Sequence, residues 1–104
     1  MTAEVSASAA PRPTRPRPAL ANAYVAPRSP LERALATHWE DVLAVAPVGV
    51  DDDFFDLGGE SLHAFALIAR AARDLGAALD ARDLFTCPTV AGLAAMIGGR
   101  RPLA

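Results

Sequence analysis

The residues best placed to do chemistry lie in Asp53-Phe54-Phe55-Asp56-Leu57-Gly58-Gly59-Glu60-Ser61-Leu62, where a serine follows two glycines and an acid. A serine that acts as a nucleophile needs a base within hydrogen-bond reach and a group to orient that base. The chain has two histidines. His63 stands two positions after Ser61, and side chains so spaced on a helix do not face each other. His38 falls beside Leu35 and Trp39 in a separate helical pattern and reads as a half-buried packing residue. A nucleophile elbow would also carry glycine two residues after the serine, where this chain has His63. The sequence therefore predicts no catalytic residue of its own and no enzyme activity. Asp51, Asp52, Asp53 and Asp56 lack the alternating oxygen ligands and closing glutamate of a calcium loop, so they read as a solvated acidic loop and not as a metal site. Cys87, followed by Pro88 and without a basic neighbour, reads as a small, partly buried packing residue.

What remains for Ser61 is to be acted upon. Two consecutive glycines reach backbone conformations closed to other residues. They place the serine at the start of a helix with little bulk around its hydroxyl. A phosphodiester formed there would meet free backbone N–H groups and the positive end of the helix dipole.

The elements that must position this serine follow from hydrophobic spacing. Leu31, Ala34, Leu35, His38, Trp39 and Val42 recur at helical intervals behind Ser29 and Pro30, a capping residue and a proline tolerated in a first turn, and predict a helix ending near Leu43. Ala46-Pro47-Val48-Gly49-Val50 breaks it, and a long loop runs to Gly59. A second helix is expected from about Ser61 to Asp74, stopped by Gly76. A short one is expected around Ala81 to Phe85 with Asp80 as its cap. A last helix runs from about Val90 to Ile97, with Val90, Leu93, Ala94 and Ile97 as its buried stripe. No strand pattern competes. The fold class is all-α: three main helices and one short helix in a small bundle, with a long loop after the first helix.

Residues 1–29, rich in proline and arginine and without hydrophobic periodicity, read as a flexible tail or linker of extended, polyproline-like character. The folded domain is expected at 30–98, small but able to fold around one core, with a short tail at 99–104. Residues 1–29 carry four arginines and one acid, and residues 30–104 carry six arginines and eleven acids. An acidic body argues against nucleic acid and fits docking on basic enzyme surfaces. The single cysteine permits no internal disulfide and fits a reducing, cytoplasmic setting. No apolar run of signal-peptide or membrane-spanning length is present, so no membrane association is expected.

Asp53-x-Phe55-x-Leu57-Gly58-Gly59-x-Ser61-Leu62 resembles the phosphopantetheine attachment motif of peptidyl carrier proteins, the thiolation domains of nonribosomal peptide synthetases. The resemblance opens at Tyr24-x-Ala26-Pro27-Arg28. It continues through Leu31-Glu32, Trp39 and Val48-Gly49-Val50 to Leu84-Phe85-x-x-Pro88-Thr89-Val90-Ala91-Gly92-Leu93. It implies an acyl-carrier-protein-like four-helix bundle, with a carrier domain at 30–98 and Ser61 at the start of its second helix. A phosphopantetheinyl transferase, using coenzyme A and magnesium, would attach the arm to Ser61. Asp56, Leu57, Gly58, Gly59, Glu60 and Leu62 would support the attachment, Leu62 by capping the loop–helix junction. The arm's thiol would carry an aminoacyl or peptidyl group as a thioester. The implied partners are an adenylation domain or enzyme that loads the carrier, and condensation, thioesterase or tailoring enzymes that use the cargo.

The second helix is apolar nearly all round, so periodicity leaves its buried face open. By resemblance Leu67 and Ile68 are core positions, while Phe65, Ala66 and Ala69 lie toward solvent with His63 as a partner-recognition face. Phe65 could instead pack on the loop carrying Phe54 and Phe55. Arg70 and Arg73 could pair with acidic partners or be ordinary surface charges. Glu60 departs from the more common histidine before the serine and leaves open an acyl carrier for polyketide or fatty acyl cargo. A helical interaction module that is not a carrier is the remaining alternative. A monomer is expected, and the chain reads equally as a freestanding carrier or as a domain of a larger synthetase.

Overall fold

The computed structural model describes residues 14–99. Four helices form its body: α1 (Pro30–Leu43), α2 (Ser61–Leu75), α3 (Ala81–Thr86) and α4 (Val90–Gly99). Each boundary has a local cause. At the start of α1 the Glu32 N–H donates to Ser29 Oγ at 3.1 Å, and Pro30 takes a first-turn position that needs no donor. Its end turns on Ala44, which adopts the left-handed conformation at φ 56°. Gly76 ends α2 at φ 63°, as the Gly stop predicts. Asp80 and Asp83 cap α3 reciprocally, each carboxylate accepting the other's N–H, at 3.0 and 2.9 Å. Thr89 Oγ1 accepts from the Gly92 N–H at 3.0 Å at the start of α4.

The core joins Leu35, Trp39, Val42 and Leu43 of α1 to Ala64 and Leu67 of α2, Leu84 of α3, and Val90 and Leu93 of α4. The long loop completes it with Val48, Val50, Phe54 and Leu57, all buried. Trp39 meets Phe54 edge-on at 5.0 Å between ring centroids. Its Nε1 has no acceptor among the described residues, so Trp39 contributes through ring area alone. Backbone bonds fasten the loop to α4: the Ala91 N–H donates to Val50 O at 3.0 Å and the Phe54 N–H to Pro88 O at 2.7 Å. Burying one such side chain stabilises by about 1.5–3 kcal/mol, against about 0.5–1.5 for a net hydrogen bond. The apolar plugs hold the loop down, and the hydrogen bonds fix its register.

The structure corrects the reading of residues 14–29 as a free linker. They lie along the body as a strap. β1 (Arg15–Pro16) pairs in parallel with β2 (Val45–Ala46), two residues each, with Arg15 opposite Val45 and Pro16 opposite Ala46. The Arg15 N–H donates to Ala44 O at 2.8 Å, and the Val50 N–H to Val25 O at 2.8 Å. Arg17 lies over the Tyr24 ring at 5.6 Å and forks onto Asp52 through Nε at 2.7 Å and Nη2 at 2.8 Å. These polar ties leave no periodic trace in the sequence, which is why composition alone pointed to a linker. The expectations for residues 1–13 and 100–104 lie outside the described residues.

Asp52 is the second correction, because the acidic run is not uniformly solvated. Asp51 is exposed, whereas the Asp52 carboxylate is fully buried. It accepts from Arg17 twice, from Asn22 Nδ2 at 2.7 Å and from the Gly49 N–H at 2.8 Å. Burial alone would push this carboxyl up. The Arg17 fork, the Gly49 amide and Asn22 outweigh it and hold the carboxyl below its ordinary value. Asp53 folds the next turn, its Oδ1 accepting from the Phe55 and Asp56 N–H groups at 2.7 and 3.1 Å.

Candidate functional site

The turn that Asp53 starts brings the chain to Ser61. The Leu57 N–H donates to Asp53 O at 3.0 Å, Gly58 to Phe55 O at 3.1 Å and Gly59 to Phe54 O at 3.0 Å. Leu57 is buried and anchors the turn in the core. Gly58 sits at φ +100°, where a side chain is strained. Gly59 lies so close to the Phe54 ring that a Cβ there would collide with it. Both glycines are thus required for different reasons, one by conformation and one by space. Asp56 is exposed on the outer side of the same turn.

Glu60 is the N-cap of α2, extended at φ −132° and ψ 178°, and Ser61 is the first helical residue. Ser61 is exposed. The Glu60 N–H donates to His63 Nδ1 at 3.0 Å, and the Glu60 carbonyl accepts from the Ala64 N–H at 2.9 Å. His38, the other imidazole, lies between α1 and α2 with Nε2 3.4 Å from Asp74 Oδ2 and Nδ1 3.4 Å from Arg70 Nη1. Both imidazoles are therefore engaged with groups other than the serine hydroxyl. What this arrangement offers chemically is a held backbone with an open hydroxyl at the positive end of a helix. That is a fitting place for a phosphoester and its anionic oxygens.

On the outer face of α2, Leu62 is 79% and Phe65 60% exposed, and Ala66 and Ala69 are exposed beside them. Leu62 does not cap the loop–helix junction as expected; Leu57 occupies the core there. Leu67 is buried and Ile68 half-buried, so α2 turns the Ala64, Leu67 and Ala71 stripe inward. His63 is half-buried, its ring directed back to Glu60 and not outward with Phe65. Arg70 and Arg73 find partners within the chain, Asp41 at 3.3 Å and Asp74 at 2.8 Å.

Phe85 was not among the residues expected at the site. It is 63% exposed and stacks on Phe55 at 5.1 Å with the rings 4° from parallel. Phe55 in turn meets Phe54 edge-on at 5.4 Å, so an aromatic chain runs from Trp39 in the core to Phe85 at the surface. A signal was present: Leu84 and Phe85 are adjacent on a six-residue helix and cannot both face inward. Among the described residues no group of three or more candidate ligands gathers for a metal ion, and no helix is long and apolar enough to cross a membrane.

Comparison with known proteins bears on what this site is for. Residues 33–97 match the family described as phosphopantetheine attachment site. Over 77 residues, 74% of this chain, the sequence is 48% identical to a plipastatin synthase of Bacillus subtilis (strain 168) and spans 3% of it. Over 76 residues, 73% of this chain, it is 46% identical to tyrocidine synthase 2 of Brevibacillus parabrevis and spans 2% of it. The fold matches the solution structure of an active-site mutant peptidyl carrier protein with TM-score 0.75 and 37% identity, covering 84% of this chain and 97% of that one. It matches a chain from the structure of the phosphopantetheine transferase Sfp with coenzyme A and a peptidyl carrier protein with TM-score 0.72 and 40% identity, covering 74% of this chain and 100% of that one. An all-α bundle of this size, a family match over most of its length and these structural neighbours agree: the chain belongs to the phosphopantetheine attachment family and stands with its peptidyl carriers.

Proposed function

We propose that Ser61 is the attachment point for phosphopantetheine and that the chain carries an aminoacyl or peptidyl group between the enzymes of nonribosomal peptide synthesis. The observation that carries this reading is the exposed Ser61 hydroxyl at the first position of α2, on a backbone held by the Gly58-Gly59 turn. When attached, the arm supplies a terminal thiol on which the cargo is held as a thioester. The chain itself acts as substrate and cargo holder and not as catalyst. Its backbone presents the hydroxyl, Leu57 and the two glycines hold the turn, and Asp56 and Glu60 border it. The donor of the arm is coenzyme A, brought by a phosphopantetheinyl transferase with magnesium.

Leu62, Phe65, Ala66, Ala69 and Phe85 form the face on which partners dock, with His63 at its border. Exposed apolar surface beside an attachment point marks an interface, and aromatic side chains anchor such interfaces well. The partners on this reading are an adenylation domain that loads the arm, and condensation, thioesterase or tailoring enzymes that use the cargo. The chain works as a monomer in the cytoplasm.

The test is intact-protein mass spectrometry after incubation with a broad-specificity phosphopantetheinyl transferase, coenzyme A and magnesium. The wild type is expected to gain one phosphopantetheine and Ser61→Ala none. No gain on folded wild type would leave a helical interaction module in place of a carrier. Glu60, an acid directly before the serine, is the feature that favours an acyl cargo. Loading by an amino-acid-activating enzyme, as against an acyltransferase, separates the two cargo classes.

A further inference from the structure

We propose that His63 is a positioning residue for Ser61, acting through the backbone of Glu60; this rests on the carrier reading above. A helix start leaves N–H groups without intrahelical partners. In the usual reciprocal cap, Glu or Gln at the third helical position reaches back to the N–H of the capping residue. Here that third position is His63, and its Nδ1 accepts the Glu60 N–H at 3.0 Å. The bond requires a neutral ring with its proton on Nε2, so that Nδ1 keeps a lone pair.

The consequence lies one residue further on. Ser61 is exposed, so the direction of its Cα–Cβ bond is set by the backbone on either side. On the N-terminal side that backbone is held at three consecutive points. The Gly59 N–H goes to Phe54 O at 3.0 Å, the Glu60 N–H to His63, and the Glu60 carbonyl takes the Ala64 N–H at 2.9 Å. The first tie belongs to the loop and the third to the helix ladder. Only the middle one depends on a side chain, and it locks the residue joined to Ser61. A transferase that must bring the hydroxyl into line with a phosphorus atom gains from a substrate already fixed in direction. His63 is thereby assigned to presentation of the serine. Its place two residues from Ser61, with Nδ1 occupied, keeps it from acting as the base for that hydroxyl.

The proposal is tested with His63→Leu, which removes the acceptor, and His63→Gln, which restores one of the kind that usually fills this position. Two quantities are read in the full chain: hydrogen exchange of the Glu60 amide by NMR, and kcat/KM for phosphopantetheine transfer from coenzyme A by intact mass. Removing one capping bond is expected to speed Glu60 amide exchange and lower kcat/KM by about two- to tenfold in His63→Leu. His63→Gln should return both toward wild type, while thermal melts confirm that both variants fold. Unchanged transfer in His63→Leu would overturn the assignment. So would a His63→Gln protein that protects the Glu60 amide yet is modified as slowly as His63→Leu, since the ring would then be touching the transferase itself. A wild type that takes no phosphopantetheine would defeat the carrier reading and the assignment with it, and Glu60 amide protection would show separately whether the cap exists.

Discussion

Two sides of one loop invert the usual rule of apolar inside and charged outside, and they do so in opposite senses. Toward the strap, the loop buries a charge: Asp52 is fully enclosed and meets four hydrogen bonds from Arg17, Asn22 and Gly49. Toward α2 and α3, the molecule exposes Leu62, Phe65 and Phe85 beside Ser61. The buried charge has its partners within the chain, so its role is structural; a buried carboxylate is tolerable only when paired and hydrogen-bonded. The exposed apolar side chains gain nothing from water, and their role lies with another protein. Residues on the unexpected side of the surface are thus the informative ones, and whether a residue is satisfied internally separates architecture from function.

The sharpest way to break this comparison is Asp52→Ala. It strands the Arg17 guanidinium, the Asn22 amide and the Gly49 N–H, and breaking a buried pair costs about 3–5 kcal/mol. The thermal midpoint of a domain this size should then fall by more than about 10 °C. A fall of only a degree or two would mean that Asp52 is an ordinary loop acid. The same carboxyl gives a pH dependence whose sign is set. Its folded value lies below the ordinary one, so the stability it contributes is present above about pH 4 and is lost as pH falls through the folded value. Melts from pH 7 to pH 3 should show a steeper acid loss in wild type than in Asp52→Asn.

Gly59→Ala comes next. Its Cβ would meet the Phe54 ring, and overpacking of this kind costs about 1–3 kcal/mol. Because Gly59 also leads into Ser61, the variant should lose both stability and phosphopantetheine transfer. That joint loss distinguishes the turn from the two inverted regions, each of which should change one property far more than the other.

The parts legible in the sequence were those with a local signature. The start of α1 at Pro30 behind Ser29, the stop of α2 at Gly76 and the cap of α3 at Asp80 follow from residues within a turn of each boundary. Ser61 at a helix start was legible for the same reason, two glycines and an apolar stretch. The strap was not, because Arg17 reaches Asp52 across 35 positions and nothing separates Asp52 from Asp51 and Asp53 in composition. Nor was the inward face of α2: with apolar residues nearly all round, packing against α1 decides that Leu67 goes in and Phe65 out.

The smallest stability effects, and the finest test of the comparison, come from the two exposed phenylalanines. Phe85 stacks on Phe55 at 5.1 Å, and an aromatic pair contributes about 0.5–1.5 kcal/mol beyond its buried area. Phe85→Ala should therefore lower the thermal midpoint by several degrees and also weaken partner engagement. Phe65 is comparably exposed, and no ring stacks on it among the described residues. Phe65→Ala should leave stability within about 0.5 kcal/mol of wild type, as surface substitutions away from packed features do. Its effect should fall instead on loading by an adenylation enzyme, read as a rise in KM for the carrier with kcat held. If Phe65→Ala melts several degrees lower and loads normally, Phe65 is packing against the body. The exposed side of the loop would then be architecture after all, and the line between the two regions would have to be drawn at Phe85.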